Sequence, residues 1–247
     1  MNSKYGGYMG RILDIDMTRK SFCDYPITDN DREKFIGGKT LAAKILFDEL
    51  SPGIDPFSAE NIIVFMTGPF TGTGAPCTSR FDISTKNALT GGIASSNCGG
   101  TFGIHLKKAG YDGLVIRGKA SHPTLLKITE SGVDFLDASS LWGKDTEETQ
   151  KTLEKEFGRK RGMAVIGPAG ENLVRYASVI SGERAAGRCG VGAVMGSKNI
   201  KAIVAWGGKK PPVSNPAAFR KAVKKWVKIL QENPATSKTL PELGTAN

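Results

Sequence analysis

Apolar and polar positions alternate over Gly10-Arg-Ile-Leu-Asp-Ile-Asp16, which predicts a half-buried strand. From Asp29 to Leu50 the pattern changes to a helical one. Its apolar set includes Phe35, Leu41, Ile45, Leu46 and Leu50, Gly37-Gly38 interrupts the helix, and Ser51-Pro-Gly53 stops it. Asn61 to Thr67 is an apolar run of strand length ended by Gly68-Pro69, and Arg80 to Thr85 is a short strand with Phe81 and Ile83 on one face. Thr101 to Ala109 reads as a short helix closed by Gly110. Gly113–Arg117, Thr124–Ile128 and Val133–Leu136 follow as regularly spaced strands, the pattern of a meander. Asp145 to Phe157 is the clearest helix, with Asp145 as its cap, Glu148 three residues on as in a capping box, and Gly158 at its end. Strands are expected at Met163–Gly167, Leu173–Ile180 and Lys201–Trp206.

Two strands run into Gly-Pro, at Gly68-Pro69 and Gly167-Pro168, a hint of internal duplication. Residues Gly207 to Pro216 read as a linker. Beyond it Phe219, Val223, Trp226, Val227 and Leu230 form one apolar stripe on a basic helix, and that stripe needs a surface to cover it.

Composition adds glycine and charge to this outline. The chain of 247 residues holds 31 glycines in clusters without a collagen-like period, so they mark turns and close approaches. The net charge is +10, but +8 of it falls between Lys198 and Asn247, leaving the preceding chain nearly balanced. A basic tail can meet a polyanion, yet a solvated helix face accounts for it equally, and nucleic acid is not the expected partner. Cys23, Cys77, Cys98 and Cys189 form no C-x-x-C pair, so neither a zinc ribbon nor a protein-only iron–sulfur motif is present. No signal pattern or membrane-length apolar run occurs, and the expected location is the cytoplasm with reduced thiols.

The candidate chemistry lies in two glycine-rich stretches. One is Gly68-Pro-Phe-Thr-Gly-Thr-Gly-Ala-Pro-Cys-Thr-Ser-Arg80, continuing to Ser95-Ser-Asn-Cys-Gly-Gly100; the other is Glu183-Arg-Ala-Ala-Gly-Arg-Cys-Gly-Val-Gly192. Successive backbone N–H groups in such loops form concavities for anions, and arginine supplies a planar fork of donors for phosphate. Tight turns between strands would use the same glycines. Gly72-Thr-Gly74 lacks the third glycine of a dinucleotide fingerprint. Gly192-Ala-Val-Met-Gly-Ser-Lys198 is too short for a P-loop, and its lysine follows the serine. His105 reads as a packed or solvated histidine and His122 as a surface one, no Ser/His/Asp order stands out, and the cysteines near the glycines carry no assigned role.

Gly68-Pro-Phe-Thr-Gly-Thr-Gly-Ala-Pro76, Asn97-Cys-Gly-Gly-Thr-Phe-Gly103, Lys108-Ala-Gly-Tyr-Asp-Gly113, Leu141-Trp-Gly-Lys144, Ile166-Gly-Pro-Ala-Gly-Glu-Asn-Leu173, Arg184-Ala-Ala-Gly-Arg188 and Gly192-Ala-Val-Met-Gly-Ser-Lys-Asn199 together resemble the N-terminal domain of the aldehyde ferredoxin oxidoreductase family. The resemblance runs in order from about Gly7 to Gly208, and the tail from Pro216 looks like the opening of that family's next, helical domain.

The resemblance implies an α+β fold: a β-rich two-sheet domain over residues 1–210 with a few packed helices, then a linker and short helical tail over 211–247. It implies oxidation of aldehydes to carboxylic acids at tungsten, or sometimes molybdenum, held by two pterins, with electrons passing through a [4Fe-4S] cluster to ferredoxin. The cofactor would bring its own metal ligands. Arg80 and Arg184 would contact the pterins and their phosphates, Asn97 and Ala185 would offer backbone carbonyls to a bridging magnesium, and Gly99, Gly187 and Arg188 would complete the cradle. The family's cluster cysteines, its second set of pterin contacts and its acid–base residues lie in later domains, so no catalytic residue is expected in this chain. A separately encoded C-terminal part and a homo-oligomer both fit this reading. The alternatives are a non-catalytic remnant and a polyanion-binding module built on the basic helix.

Overall fold

A computed structural model describes residues 4–244. Strand β1 (Ile12–Asp16) turns into β2 (Ser21–Asp24), and helices α1 (Asp29–Phe35) and α2 (Gly38–Glu49) lead to β3 (Ile63–Thr67). A hairpin of β4 (Phe81–Lys86) and β5 (Ile93–Cys98), helix α3 (Phe102–Lys108) and β6 (Gly113–Arg117) complete the first half. The second half runs β7 (Thr124–Thr129), β8 (Gly132–Asp137), α4 (Thr146–Phe157), β9 (Gly162–Val165), α5 (Pro168–Glu171), β10 (Val179–Ser181), β11 (Arg184–Ala186), α6 (Val191–Ser197) and β12 (Ile200–Ala205). Helices α7 (Pro216–Glu232) and α8 (Leu240–Leu243) follow.

The two halves have the same topology. One six-stranded sheet is ordered β2-β1-β6-β3-β4-β5 and the other, read from its far edge, β8-β7-β12-β9-β10-β11. Each contains a single parallel pair, β1 with β6 and β7 with β12, and every other neighbour is antiparallel. The duplication hinted at by the two Gly-Pro units therefore extends to all twelve strands.

Strand alternation explains the layering. In β3, Ile63 and Phe65 point into the central core, while Val64 and Met66 face Leu41, Ile45 and Leu46 of α2. In β12, Ile203 and Ala205 are central, while Ala202 and Val204 face Leu153 of α4. Residues of α3 (Phe102, Leu106) and α6 (Val191, Val194, Met195) share the central core with both sheets. Sheets covered on both faces carry near-continuous apolar strands, as β3 and β12 do.

The α+β expectation holds, with corrections in detail. The three strands expected to form one meander are divided: β6 lies parallel to β1 in the first sheet, and only β7 and β8 pair as a hairpin in the second. The Ser121-His-Pro123 turn between them carries the chain across. Of the strand expected over Leu173–Ile180, only Val179 onward pairs. Pro168 opens a helical turn instead, and backbone bonds from Val174 to Ala169 and from Ala177 to Val174 keep this segment coiled.

The capping of α4 by Asp145 is present, its carboxylate accepting from the Glu148 amide at 2.8 Å. The reciprocal capping box occurs on α1, between Thr28 and Asp31. Lys198, at the end of the P-loop-like stretch, is fully buried and donates to the carbonyls of Asn61 (2.5 Å) and Gly118 (2.9 Å), pinning the second half to the first. After β12 the chain crosses back to its own beginning, where Gly7 N–H donates to Pro212 O. Helix α7 has no buried residue; Phe219 stacks on Phe70, and Trp226 stays 55% exposed. No helix among the described residues is long and apolar enough to cross a membrane.

Candidate functional site

Strands β5 and β11 occupy equivalent edges of the two sheets, and these edges meet. An edge strand keeps one row of backbone groups outside its own ladder. Hairpin register fixes which residues correspond: Phe81 pairs with Cys98 and Asp82 with Asn97, while Val179 pairs with Ala186 and Ile180 with Ala185. Asn97 and Ala185 are thus equivalent positions, and so are Gly99 and Gly187 just beyond them.

The seam is closed by direct contacts between the halves. The Arg188 amide donates to Ser96 Oγ (3.2 Å), and Asn87 Nδ2 donates to Cys189 O (2.8 Å). Gly100, at φ +86°, lies so close that a Cβ there would stand 2.9 Å from Ser181 O. A Cβ on Gly99 would meet Arg184 Cγ at 3.5 Å, so the stem of Arg184 lies along the first half's glycine turn. The two glycine-rich stretches form one surface.

Arg80, Asn97, Arg184, Ala185, Gly187 and Arg188 are all exposed, and Gly99 is half-buried. Arg80, Asn97 and Arg188 line a cleft of about 770 Å³ whose other wall is the start of α2 (Gly37 to Thr40) and the Gly68–Thr71 loop. Arg184, Ala185, Gly99 and Gly187 lie outside that cleft's lining, on the seam beside it. Arg11, Arg32 and Arg117 each pair with an aspartate; none of Arg80, Arg184 and Arg188 has a carboxylate partner among the described residues. Exposed guanidinium forks without a carboxylate partner, beside a glycine-lined surface, suit a ligand that carries negative charge.

The acid in the cleft is Asp82, which the sequence reading passed over. Burial pushes its pKa up, while the Asn97 side chain, Lys39 and Arg80 act in the opposite direction. The signal was an aspartate between two apolar residues, Phe81-Asp-Ile83, at the start of a strand. Gly37-Gly38-Lys39 was also read only as a helix break; it forms the cleft wall.

The cysteines do not form a site. All four are free; Cys98 is buried beneath the platform, where desolvation pushes its thiol up to about 11, and Cys77 is exposed. Among the described residues no group of three or more His, Cys, Asp or Glu side chains could hold a metal ion. His105 is packed, its Nδ1 buried without a partner, and burial lowers its pKa to about 4.

The fold and site define a duplicated two-sheet domain with an exposed, arginine-bearing seam where the edges of its two sheets meet. Residues 12–207 match the N-terminal domain of aldehyde ferredoxin oxidoreductase, and the chain belongs to that family. It is 45% identical over 242 residues to the tungsten-containing aldehyde ferredoxin oxidoreductase of Pyrococcus abyssi, a match covering 97% of this chain and 40% of that protein. The tungsten-containing aldehyde ferredoxin oxidoreductase of Pyrococcus furiosus is 43% identical, covering 98% and 40%. The chain therefore spans about 40% of the length of these relatives. Among solved structures, the active-site complex BamBC of benzoyl coenzyme A reductase with 1,5-dienoyl-CoA superposes with a TM-score of 0.89 at 36% identity, over 92% of this chain and 35% of that one.

Proposed function

We propose that residues 1–210 are the pterin-cofactor-binding domain of an aldehyde:ferredoxin oxidoreductase, and that residues 211–247 are a linker and the start of a helical domain. The observation that carries this reading is the equivalence of Asn97 with Ala185, and of Gly99 with Gly187, at the meeting edges of the two sheets, flanked by arginines without carboxylate partners among the described residues. A pair of like cofactor halves suits a pair of like protein edges. Arg80, Arg184 and Arg188 would hold the phosphates, the glycines would let the pterins approach backbone, and the Asn97 and Ala185 carbonyls would serve a magnesium ion between the phosphates. The residues fit such a group: the seam is exposed, glycine-lined and positively charged.

When bound, the tungsten– or molybdenum–pterin centre would supply the two-electron chemistry of converting an aldehyde and water to a carboxylic acid. This chain's residues bind and orient it. The proton-transfer groups, the [4Fe-4S] cluster and the docking of ferredoxin are assigned to the part of the relatives' length that this chain does not span. The four free cysteines accord with a reducing cytoplasm.

Metal and pterin analysis tests the reading. The purified protein, alone and co-expressed with the C-terminal polypeptide of a relative, is expected to carry tungsten or molybdenum together with pterin in at least one of the two preparations. Absence of both from both preparations sinks the proposal.

A further inference from the structure

We propose that Asp82 is a positioning residue for the cofactor platform: it fixes the Asn97 side chain and, through it, the Arg80 guanidinium. This rests on the reading of Arg80 and Asn97 as cofactor contacts. Asp82 sits in β4 directly across from Asn97 in β5. Asn97 Nδ2 donates to Asp82 Oδ1 at 3.1 Å, and Asn97 Oδ1 accepts from Arg80 Nη1 at 2.5 Å. The order of this chain is chemically forced. An ionised carboxylate only accepts, so the amide of Asn97 must turn its NH2 toward Asp82, and its oxygen is then left for Arg80, which only donates.

The anchor at the far end is helix α2. Its N-cap is Gly37, with no side-chain cap and no acid in its first turn. Asp82 Oδ2 stands only 2.9 Å from where a Cβ on Gly38 would be, so the carboxylate lies directly against the helix start, where Gly38 takes φ +55°. A helix N-terminus favours negative charge, and Asp82 supplies from a strand what α4 supplies for itself through Asp145. The second half has no counterpart, because the residue paired with Ala185 is Ile180. The side-chain relay thus belongs to one side of the platform and not to the other.

The test compares cofactor-loaded protein, full chain, as wild type, Asp82→Asn, Asn97→Ala, the Asp82→Asn/Asn97→Ala double variant and Arg80→Ala. The readout is the rate of pterin release, followed by the fluorescence of the released and oxidised pterin. Asp82→Asn keeps the shape but places a donor against the helix start, and release should quicken about tenfold, the factor expected for one charge-assisted hydrogen bond. Because Asp82 acts through Asn97, adding Asp82→Asn to Asn97→Ala should change nothing further; a purely structural role predicts additive effects. Full additivity, or an Asp82→Asn rate equal to wild type, overturns the proposal. Arg80→Ala separates the two layers of inference. If it releases pterin at the wild-type rate, the cofactor reading of Arg80 fails; if it releases faster while Asp82→Asn does not, only the role of Asp82 fails.

Discussion

The two sheets share every pairing and differ in how they are furnished. In the first half the hairpin leading to the seam is long, β4 and β5 having six residues each, and it carries Asp82 and Asn97 as side-chain partners. In the second half β10 and β11 have three residues each, and the seam positions are Ala185 and Gly187. In the second half, helix α6 is seated by close backbone approach. A Cβ on Gly192 would lie 2.4 Å from Ser178 O, and one on Gly196 2.0 Å from Gly170 O. The comparison teaches that topology placed two like edges side by side, while the chemistry at each edge was set separately.

The largest expected effect breaks the comparison at equivalent glycines, the second residues of α3 and α6. Gly192→Ala forces its Cβ into a carbonyl and should cost about 3 kcal/mol, as overpacking against rigid neighbours does. Gly103→Ala meets Phe81 Cβ and Ser79 O at 3.3 Å, which a small shift relieves, and should cost about 1 kcal/mol. Urea unfolding measures both. Equal costs would mean that the two helices are seated alike.

A smaller, pH-dependent effect separates the same helices two residues further on. The fourth residue is His105 in α3 and Val194 in α6. Burial holds His105 neutral in the folded protein, its pKa down to about 4, with Lys108 and Arg161 adding to the shift. The unfolded chain takes up a proton near pH 6.5 and the folded one does not until about 4, so stability is held above 6.5 and lost as the pH falls from 6.5 toward 4. His105→Val, which gives α3 the residue of α6, should flatten that limb. Unfolding midpoints at neutral and mildly acidic pH decide it, and an unchanged limb assigns the acid sensitivity to another group.

How much was readable in the sequence followed from burial. Strands β3 and β12, covered on both faces, announced themselves as apolar runs. The edge strands β2, β5 and β11 did not, because Ser21-Phe-Cys-Asp24, Ile93-Ala-Ser-Ser-Asn-Cys98 and Arg184-Ala-Ala186 bury too little for a period to show. Helix α6 was hidden by Gly192 and Gly196, which lower helix propensity but are required by the close approach of neighbouring backbone. Ser-Lys at its end resembled a nucleotide motif, yet Lys198 is spent on buried carbonyls. The seam residues were found through resemblance and the two glycine runs. Their equivalence, and the part played by Asp82, needed the register of β4 with β5 and of β10 with β11, which no local pattern encodes.

The central claim is that one arginine-flanked seam, made from both halves, holds the cofactor. Its most direct test is the pterin and tungsten or molybdenum content per chain of wild type against Arg80→Ala, Arg184→Ala and the double variant, each shown to be folded by its unfolding transition. The expectation is a partial loss of cofactor in each single variant and near-complete loss in the double, with folding unchanged because neither side chain is buried. Full cofactor content in the folded double variant would contradict the account.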